Sequence, residues 1–222
     1  MPDLKAHALA EAFRGRCVYF ITLHADGQSW SPTRWTDKET PGAPAMVPFA
    51  GRMFMAMPSS EKFHHVVVSE STDAETWTTT FSDWETYRAP ALAVLGDALH
   101  MVYVGVDDNR LYHSWRTADS DWILRVDTGK SSVDTPALAV YDGKPHMTHR
   151  GGNNNDQRLL HCQYDTATGA WTSSEQAADN ESYSGPAMVN YCDPNAATAT
   201  DPQAVTEELY TAFRGSYDKI IG

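Results

Sequence analysis

Three arginines stand in similar surroundings at wide separation: Phe13-Arg14-Gly15, His149-Arg150-Gly151 and Phe213-Arg214-Gly215. A guanidinium presents a planar fork of N–H donors that grips a carboxylate or two vicinal hydroxyls at two points. Brought together, with His149 beside Arg150 as a further contact, they predict a site for a sugar or a small anionic ligand. The competing reading pairs each arginine with a loop acid such as Asp156 or Asp218. Asn153, Asn154, Asn155 and Asp156 form a polar loop suited to hydroxyl recognition, though a Gly-Gly-Asn run is also a plain turn. Asp107, Asp108 and Asp156 are the carboxylates a hydrolytic site would use. Two carboxyls about 5 to 10 Å apart beside the arginines would mark a glycoside hydrolase. Trp35 and Trp84 offer flat rings on which a sugar's C–H face can stack, or fill space between elements. His65, His113 and His161 each follow a basic residue by three positions. They invite a zinc reading, but one per sheet keeps them about 10 Å apart, against the roughly 2 Å bonds zinc needs. Packing residues are the expectation, for His100 and His146 as well, and neither a metal nor a cofactor is assigned.

These residues must be positioned by something periodic. The segments starting at Pro44, Pro90, Pro136 and Pro186 read PAMV, PALAV, PALAV and PAMV, and begin 46, 46 and 50 residues apart. Trp30, Trp77, Trp122 and Trp171 keep the same beat, 13 to 15 residues before each proline. Within a unit the text divides into four short strands, with tight turns between the first two at Ala50-Gly51, Gly96-Asp97 and Asp142-Gly143. Only residues 202–209 suggest a short helix.

A lone four-stranded sheet cannot bury both its faces, so equal units must stack. Units of about 45 residues fit a ring, which also protects sheet edges. The fold expected is all-β: a single five-bladed β-propeller domain of about 46-residue four-stranded repeats, with units near 2–43, 44–89, 90–135, 136–185 and 186–222. Closure by a three-stranded last blade and closure by residues 2–6 joining that blade both remain open. Connections between the second and third strands, and between units, would share one face. Those loops vary from Gly15-Arg16 to residues 151–157, and variable loops on a repeated scaffold are where binding sits. The three arginines would then occupy one repeat position in neighbouring units. Residues 193–206 read as a loop on the opposite face.

The pattern PALAV-x-G-x-x-x-M-x-x-RG, a basic-Leu strand, an Asp-rich turn and a Trp resembles the tandem-repeat β-propellers of the sialidase-like, Asp-box superfamily, lectin-like members included. The box itself, Ser-x-Asp-x-Gly-x-x-Trp, is one residue short in Asp26-Gly27-Gln28-Ser29-Trp30 and in Ser71-Thr72-Asp73-Ala74-Glu75-Thr76-Trp77. The resemblance implies a propeller with the box in a turn far from any ligand. Sialidases of that superfamily also carry an arginine triad, a Tyr/Glu pair and an acid Asp, and no spacing here assigns the Tyr/Glu pair. The resemblance therefore points towards binding.

The 222 residues carry 17 basic and 29 acidic side chains, a formal charge of -12 that disfavours a general nucleic-acid or anionic-membrane role. Apolar runs such as residues 91–96 are far short of the roughly 18 residues a spanning helix needs. Cys17, Cys162 and Cys192 form neither a CxxC pair nor a disulfide framework, so reduced thiols are expected. A soluble monomer, cytoplasmic or released without a classical signal peptide, is the expectation. The leading function is a non-catalytic, lectin-like carbohydrate-binding propeller. A protein-interaction scaffold and a glycosidase-like enzyme on the same face are the alternatives.

Overall fold

The computed structural model describes residues 16–24, 27–61, 64–192 and 207–215. Every element among them is a strand. The first sheet pairs β1 (Cys17–Phe20) with β2 (Arg34–Glu39), and an isolated bridge joins Leu23 to Trp30. The second orders β3 (Ala45–Phe49), β4 (Arg52–Pro58), β5 (His65–Ser71) and β6 (Thr78–Glu85) as an antiparallel meander. The third repeats it with β7 (Ala91–Leu95), β8 (Ala98–Val104), β9 (Arg110–Thr117) and β10 (Val126–Ser131). The fourth holds β11 (Ala137–Tyr141), β12 (Lys144–Arg150) and β13 (Arg158–Asp165). Its outer strand is split into β14 (Ala170–Trp171) and β15 (Glu175–Glu181), both paired with β13. The fifth pairs β16 (Ala187–Cys192) with β17 (Glu207–Ala212). The expected helix is absent where it can be seen: residues 207–209 open β17, and 202–206 lie outside the described residues.

Turn chemistry sets the register. Asp142 and Gly143 both take positive φ, 47° and 67°, the two-residue turn whose twist matches its flanking strands. In the third sheet Gly96 alone does so, at 57°, the type led by glycine. With these turns Ala45, Ala91, Ala137 and Ala187 pair with Ala56, Val102, Thr148 and Ala212. Corresponding residues therefore sit at the same height in each sheet.

Successive side chains of a strand point to opposite faces, and here both faces of the middle strands are covered. Phe54, Ala56, Val66 and Val68 pack with Leu99, Met101 and Tyr103 of the third sheet. Met55, Met57 and Val67 turn the other way, onto Val18 and Trp77. Val102, Val104 and Leu111 meet Leu138, Met147 and Cys162 of the fourth. The core is thus a series of layers between sheets. The opening strands β3, β7, β11 and β16 are each neighbour to the next, so the sheets fan out from one line of strands.

Three periodic tryptophans stand at the corners leading to the outer strands. Trp77 is buried there, while Trp122 and Trp171 pack against the two other core layers. Trp30 departs from the pattern and is exposed. The Ser71–Trp77 corner is organised by a carboxylate. Asp73 Oδ1 accepts the amides of Glu75 and Thr76, both at 2.8 Å, and Ser71 Oγ accepts that of Ala74 at 2.8 Å. Those amide hydrogen bonds, with one from the Ser71 hydroxyl, pull the Asp73 pKa down to about 2.

The histidines are packing groups with a repeated geometry. His100 Nδ1 meets His113 Nε2 at 3.0 Å, and His146 Nδ1 meets His161 Nε2 at 3.0 Å. One ring donates and the other accepts, and burial disfavours the charged form of each. The sequence grouping of His65 with His113 and His161 is corrected by register. Pro58, Val104 and Arg150 pair with Val66, Leu111 and Leu159, so His65 takes the position of Arg110 and Arg158. Val68 is the true counterpart of His113 and His161. The grouping fails because β5 begins at His65 itself, whereas β9 and β13 begin at their basic residues, Arg110 and Arg158. Lys62, read as the basic residue opening that strand, lies outside the described residues.

Candidate ligand-binding face

Connections from the second to the third strand and from sheet to sheet end on one face, where two clusters form. Around the fourth and fifth sheets, Arg150 and Arg214 occupy the same register position, just beyond the last described pairs of β12 and β17 with their opening strands. Both reach Tyr183, in the connection between those sheets. Arg150 Nη1 donates to the Tyr183 carbonyl at 3.4 Å, and the Tyr183 amide donates to the Arg214 carbonyl at 2.9 Å. Arg150 Nη2 donates to the Asn154 carbonyl at 3.2 Å, and its Nε is buried without a partner. Neither arginine makes an ion pair with a carboxylate among the described residues. Arg14 lies outside the described residues.

The loop between β12 and β13 is built for stiffness. Asn153 Oδ1 accepts the Asn155 amide at 3.0 Å, and the Asn153 carbonyl accepts that of Asp156 at 3.0 Å. Asp156 is engaged, though not by Arg150: Arg158 Nε and Nη2 donate to its two oxygens at 2.8 Å each. That guanidinium holds the Asp156 carboxyl below its usual range, with burial opposing. His149 is not available to a ligand. It is 1% exposed, its Nδ1–H donates to the Arg150 carbonyl at 2.9 Å, and its Nε2 accepts from the Ser174 hydroxyl at 3.1 Å. Burial pushes its pKa down, so the ring is a neutral prop behind Arg150.

The second cluster lies between the second and third sheets. Asp83, Glu85, Gly105, Val106, Asp107, Asp108, Tyr112 and Arg125 line a groove of about 320 Å³. Asp107 and Asp108 come from the β8–β9 loop, Asp83 and Glu85 from the end of β6. The Tyr112 hydroxyl donates to Asp108 Oδ2 at 2.6 Å, and the Arg110 amide to Asp108 Oδ1 at 3.0 Å. The Arg125 guanidinium lies 4.4 Å over the Tyr112 ring, a cation–π arrangement. Glu85 faces His65 Nε2 at 3.7 Å. Backbone must come close here: a Cβ on Gly105 would lie 2.7 Å from both Asp108 Oδ1 and Tyr112 Cε2.

Of the tryptophans, Trp84 packs half-buried against the groove's floor, stacked on Tyr103 with centroids 5.8 Å apart and planes 11° from parallel. It is filler between sheets rather than a free shelf. Trp35 stands exposed on β2 opposite Tyr19, in the first sheet and outside both clusters. Sequence reasoning missed Asp83, Glu85, Tyr112, Arg125 and Tyr183. The acids flanking Trp84 were a usable signal, because residues alternating around an inward ring must point outward.

The arrangement can hold hydroxyls and charged groups. Its shifted carboxyls, Asp108 and Asp156, are both pulled down, the opposite of what a general acid requires. Among the described residues no three His, Cys, Asp or Glu side chains are placed to hold a metal ion.

The sequence matches no protein-family model and no curated protein. The fold does find relatives. A mutant of Aleuria aurantia lectin in complex with Fucα1-6GlcNAc superposes with a TM-score of 0.58 at 13% identity, over 91% of this chain and 65% of the lectin. Hadza microbial sialidase gives 0.56 at 13% identity, over 89% of this chain and 44% of the enzyme. The chain therefore spans less than two thirds of either. Identity this low carries the fold and nothing of the site: the chain is an all-β protein of small antiparallel sheets with the β-propeller arrangement.

Proposed function

We propose that the protein is a non-catalytic carbohydrate-binding propeller of five sheets whose ligand lies on the loop face. The observation that carries this reading is the groove between the second and third sheets. Aspartates, a tyrosine hydroxyl and an arginine converge there on a polar opening of sugar size, about 320 Å³. Carboxylates accept hydroxyl hydrogen bonds at two points, and charge-assisted bonds are about twice as strong as neutral ones. The carboxyls that their surroundings shift all move downwards, which favours holding a sugar over protonating a leaving group. Arg150 and Arg214 supply a second, cationic contact for an acidic sugar in the next sector but one.

A glycan array read with the unmodified chain, Asp108→Asn and Arg150→Ala tests this. Sugar-dependent binding that weakens about tenfold or more in at least one variant is expected, the cost of one charged hydrogen bond. Failure to retain any glycan, or glycan processing that releases product, would refute it.

A further inference from the structure

Each gap between sheets is filled from two sides, by the forward face of one sheet and the backward face of the next. Phe54 and Ala56 of the second sheet point forward onto Leu99, Met101 and Tyr103. Thr148 of the fourth points forward too, its Oγ1 lying 3.5 Å from both Met188 Sδ and Thr211 Oγ1 of the fifth. Strand alternation then puts Val189, Tyr191 and Tyr210 on the forward face of the fifth sheet, opposite to Met188 and Thr211. Val189 and Tyr210 pair across their strands as Val47 and Phe54, Ala93 and His100, and Ala139 and His146 do in the three sheets before. Phe54, His100 and His146 are buried, whereas Val189 and Tyr210 stay 57% and 50% exposed.

The other end of the row shows the matching half. The Thr36 hydroxyl donates to the Val18 carbonyl at 2.9 Å, as Ser82 does to Val66 at 2.9 Å and Thr128 to Leu111 at 2.7 Å. That shared contact sets the first sheet in register with the second. Val18 answers to Val66, and the cross-strand pair of Tyr19 and Trp35 answers to Val67 and Phe81. Val67 and Trp77 point backward and are buried against Val18 of the first sheet. Their counterparts Tyr19, Trp35 and Trp30, with Ile21 and Leu23 beside them, are between 44% and 59% exposed. A forward and a backward face of the kind that close the gaps within the chain thus stand open at its two ends. Among the described strands, the fifth sheet neighbours the fourth and not the first.

We infer that these faces meet between copies: the fifth sheet of one molecule packs on the first sheet of the next, continuing the series of layers from chain to chain. A second copy carries the register that the inner gaps already use, which an unrelated surface would have to imitate. Five half-exposed aromatics, Tyr19, Trp30, Trp35, Tyr191 and Tyr210, leave roughly 500 Å² to bury, at roughly 200 Å² for each whole side chain. With the aliphatic and polar groups between them the contact approaches about 1,000 Å², where specific but weak interfaces begin. The two faces differ, so the contact is head-to-tail and each copy keeps one face for a further neighbour. The monomer expected from the sequence is then the dilute state.

Sedimentation velocity of the full chain from about 1 to about 300 µM, in about 0.15 M salt to screen the charge of -12, tests the inference. Average mass is expected to rise about twofold or more across that range. Trp30→Glu/Trp35→Glu spoils the backward face alone, and Val189→Lys/Tyr191→Lys the forward face alone. All four side chains are about half exposed or more, so both variants should keep a cooperative urea transition. Each variant by itself should stay monomeric. An equimolar mixture should form one-to-one dimers, because each variant lends the other its intact face. Were a double variant to lose its fold, the milder Trp35→Gln and Val189→Thr take its place, each expected to weaken association about threefold or more. An unmodified chain that is monomeric throughout, as when one chain closes over both of its own faces, overturns the inference. Association that survives in either variant overturns the location, and variants that do not complement each other when mixed overturn the head-to-tail pairing.

Discussion

The histidine pair between the third and fourth sheets should make the protein sensitive to mild acid by an amount that can be worked out. His100 and His113 are 4% and 1% exposed and hydrogen-bonded to each other. Burial lowers the His100 pKa from 6.5 to about 4. Burial, helped by the neighbouring ring, takes His113 from 6.5 to about 3. Because the folded values lie below the unfolded one, the unfolded chain takes up protons first. The stabilisation is complete above about pH 7 and is lost as pH falls from 6.5 towards the folded values. At about 1.4 kcal/mol per pH unit and group, pH 5 costs about 2 kcal/mol for each ring, or about 4 kcal/mol for the pair. That is a large share of a total stability of roughly 5–15 kcal/mol. In the second sheet the corresponding residues are Phe54 and Val68, so His100→Phe/His113→Val transplants a pair the fold already uses. Urea unfolding at pH 7 and pH 5 should show the unmodified protein losing about 4 kcal/mol more than the double variant. Imidazole resonances of both rings should stay neutral down to about pH 5. Equal pH dependence of the two proteins, or either ring titrating above pH 6, would refute the reasoning.

Two further outcomes follow from close contacts. Ser71 is buried and its Oγ accepts the Ala74 amide while its hydroxyl meets Asp73, so Ser71→Ala should cost about 1–3 kcal/mol in urea unfolding. That corner lies at the far end of β5 from the groove, so glycan binding by the folded variant should be unchanged. Gly105→Ala should do the reverse: its Cβ would stand 2.7 Å from Asp108 Oδ1 and Tyr112 Cε2, forcing the groove apart. Calorimetry should show glycan affinity falling about tenfold or more while unfolding shifts by about 1–3 kcal/mol.

The strand plan was legible because it rests on local chemistry. Asp142-Gly143 fixes a hairpin wherever it occurs, and runs such as residues 99–104 announce strands buried on both faces. The pairing of Arg150 and Arg214 in equivalent positions was legible for the same reason, since the RG text marks one register. What was not legible depends on loop length and on contact across sheets. His149 read as a ligand because a histidine beside an arginine looks chemical, yet strand alternation turns it inward onto Ser174. Asp156 read as either a ligand or a partner of Arg150, and the turn brings it back onto Arg158 instead. Tyr112 and Arg125 could not be joined to Asp108 from sequence, because they come from the next strand and from the corner after it.

These departures share a physical origin. At the end of the second strand, two adjacent positions recur in register: Met57, Tyr103, His149 and Phe213, then Pro58, Val104, Arg150 and Arg214. Alternation sends the first to one neighbouring sheet and the second to the other. Met57, Tyr103 and Val104 belong to the core layers, whereas Arg150 and Arg214 do not, so one register position closes the core in some sheets and sets the chemistry of a gap in others. Tyr103 in the gap between the second and third sheets supports an acidic groove, and Arg150 in the gap between the fourth and fifth supports a cationic one. Repetition of the backbone therefore does not yield equivalent sites. It yields gaps that differ in charge, and the loops beside them, residues 105–109 and 151–157, supply different polar groups.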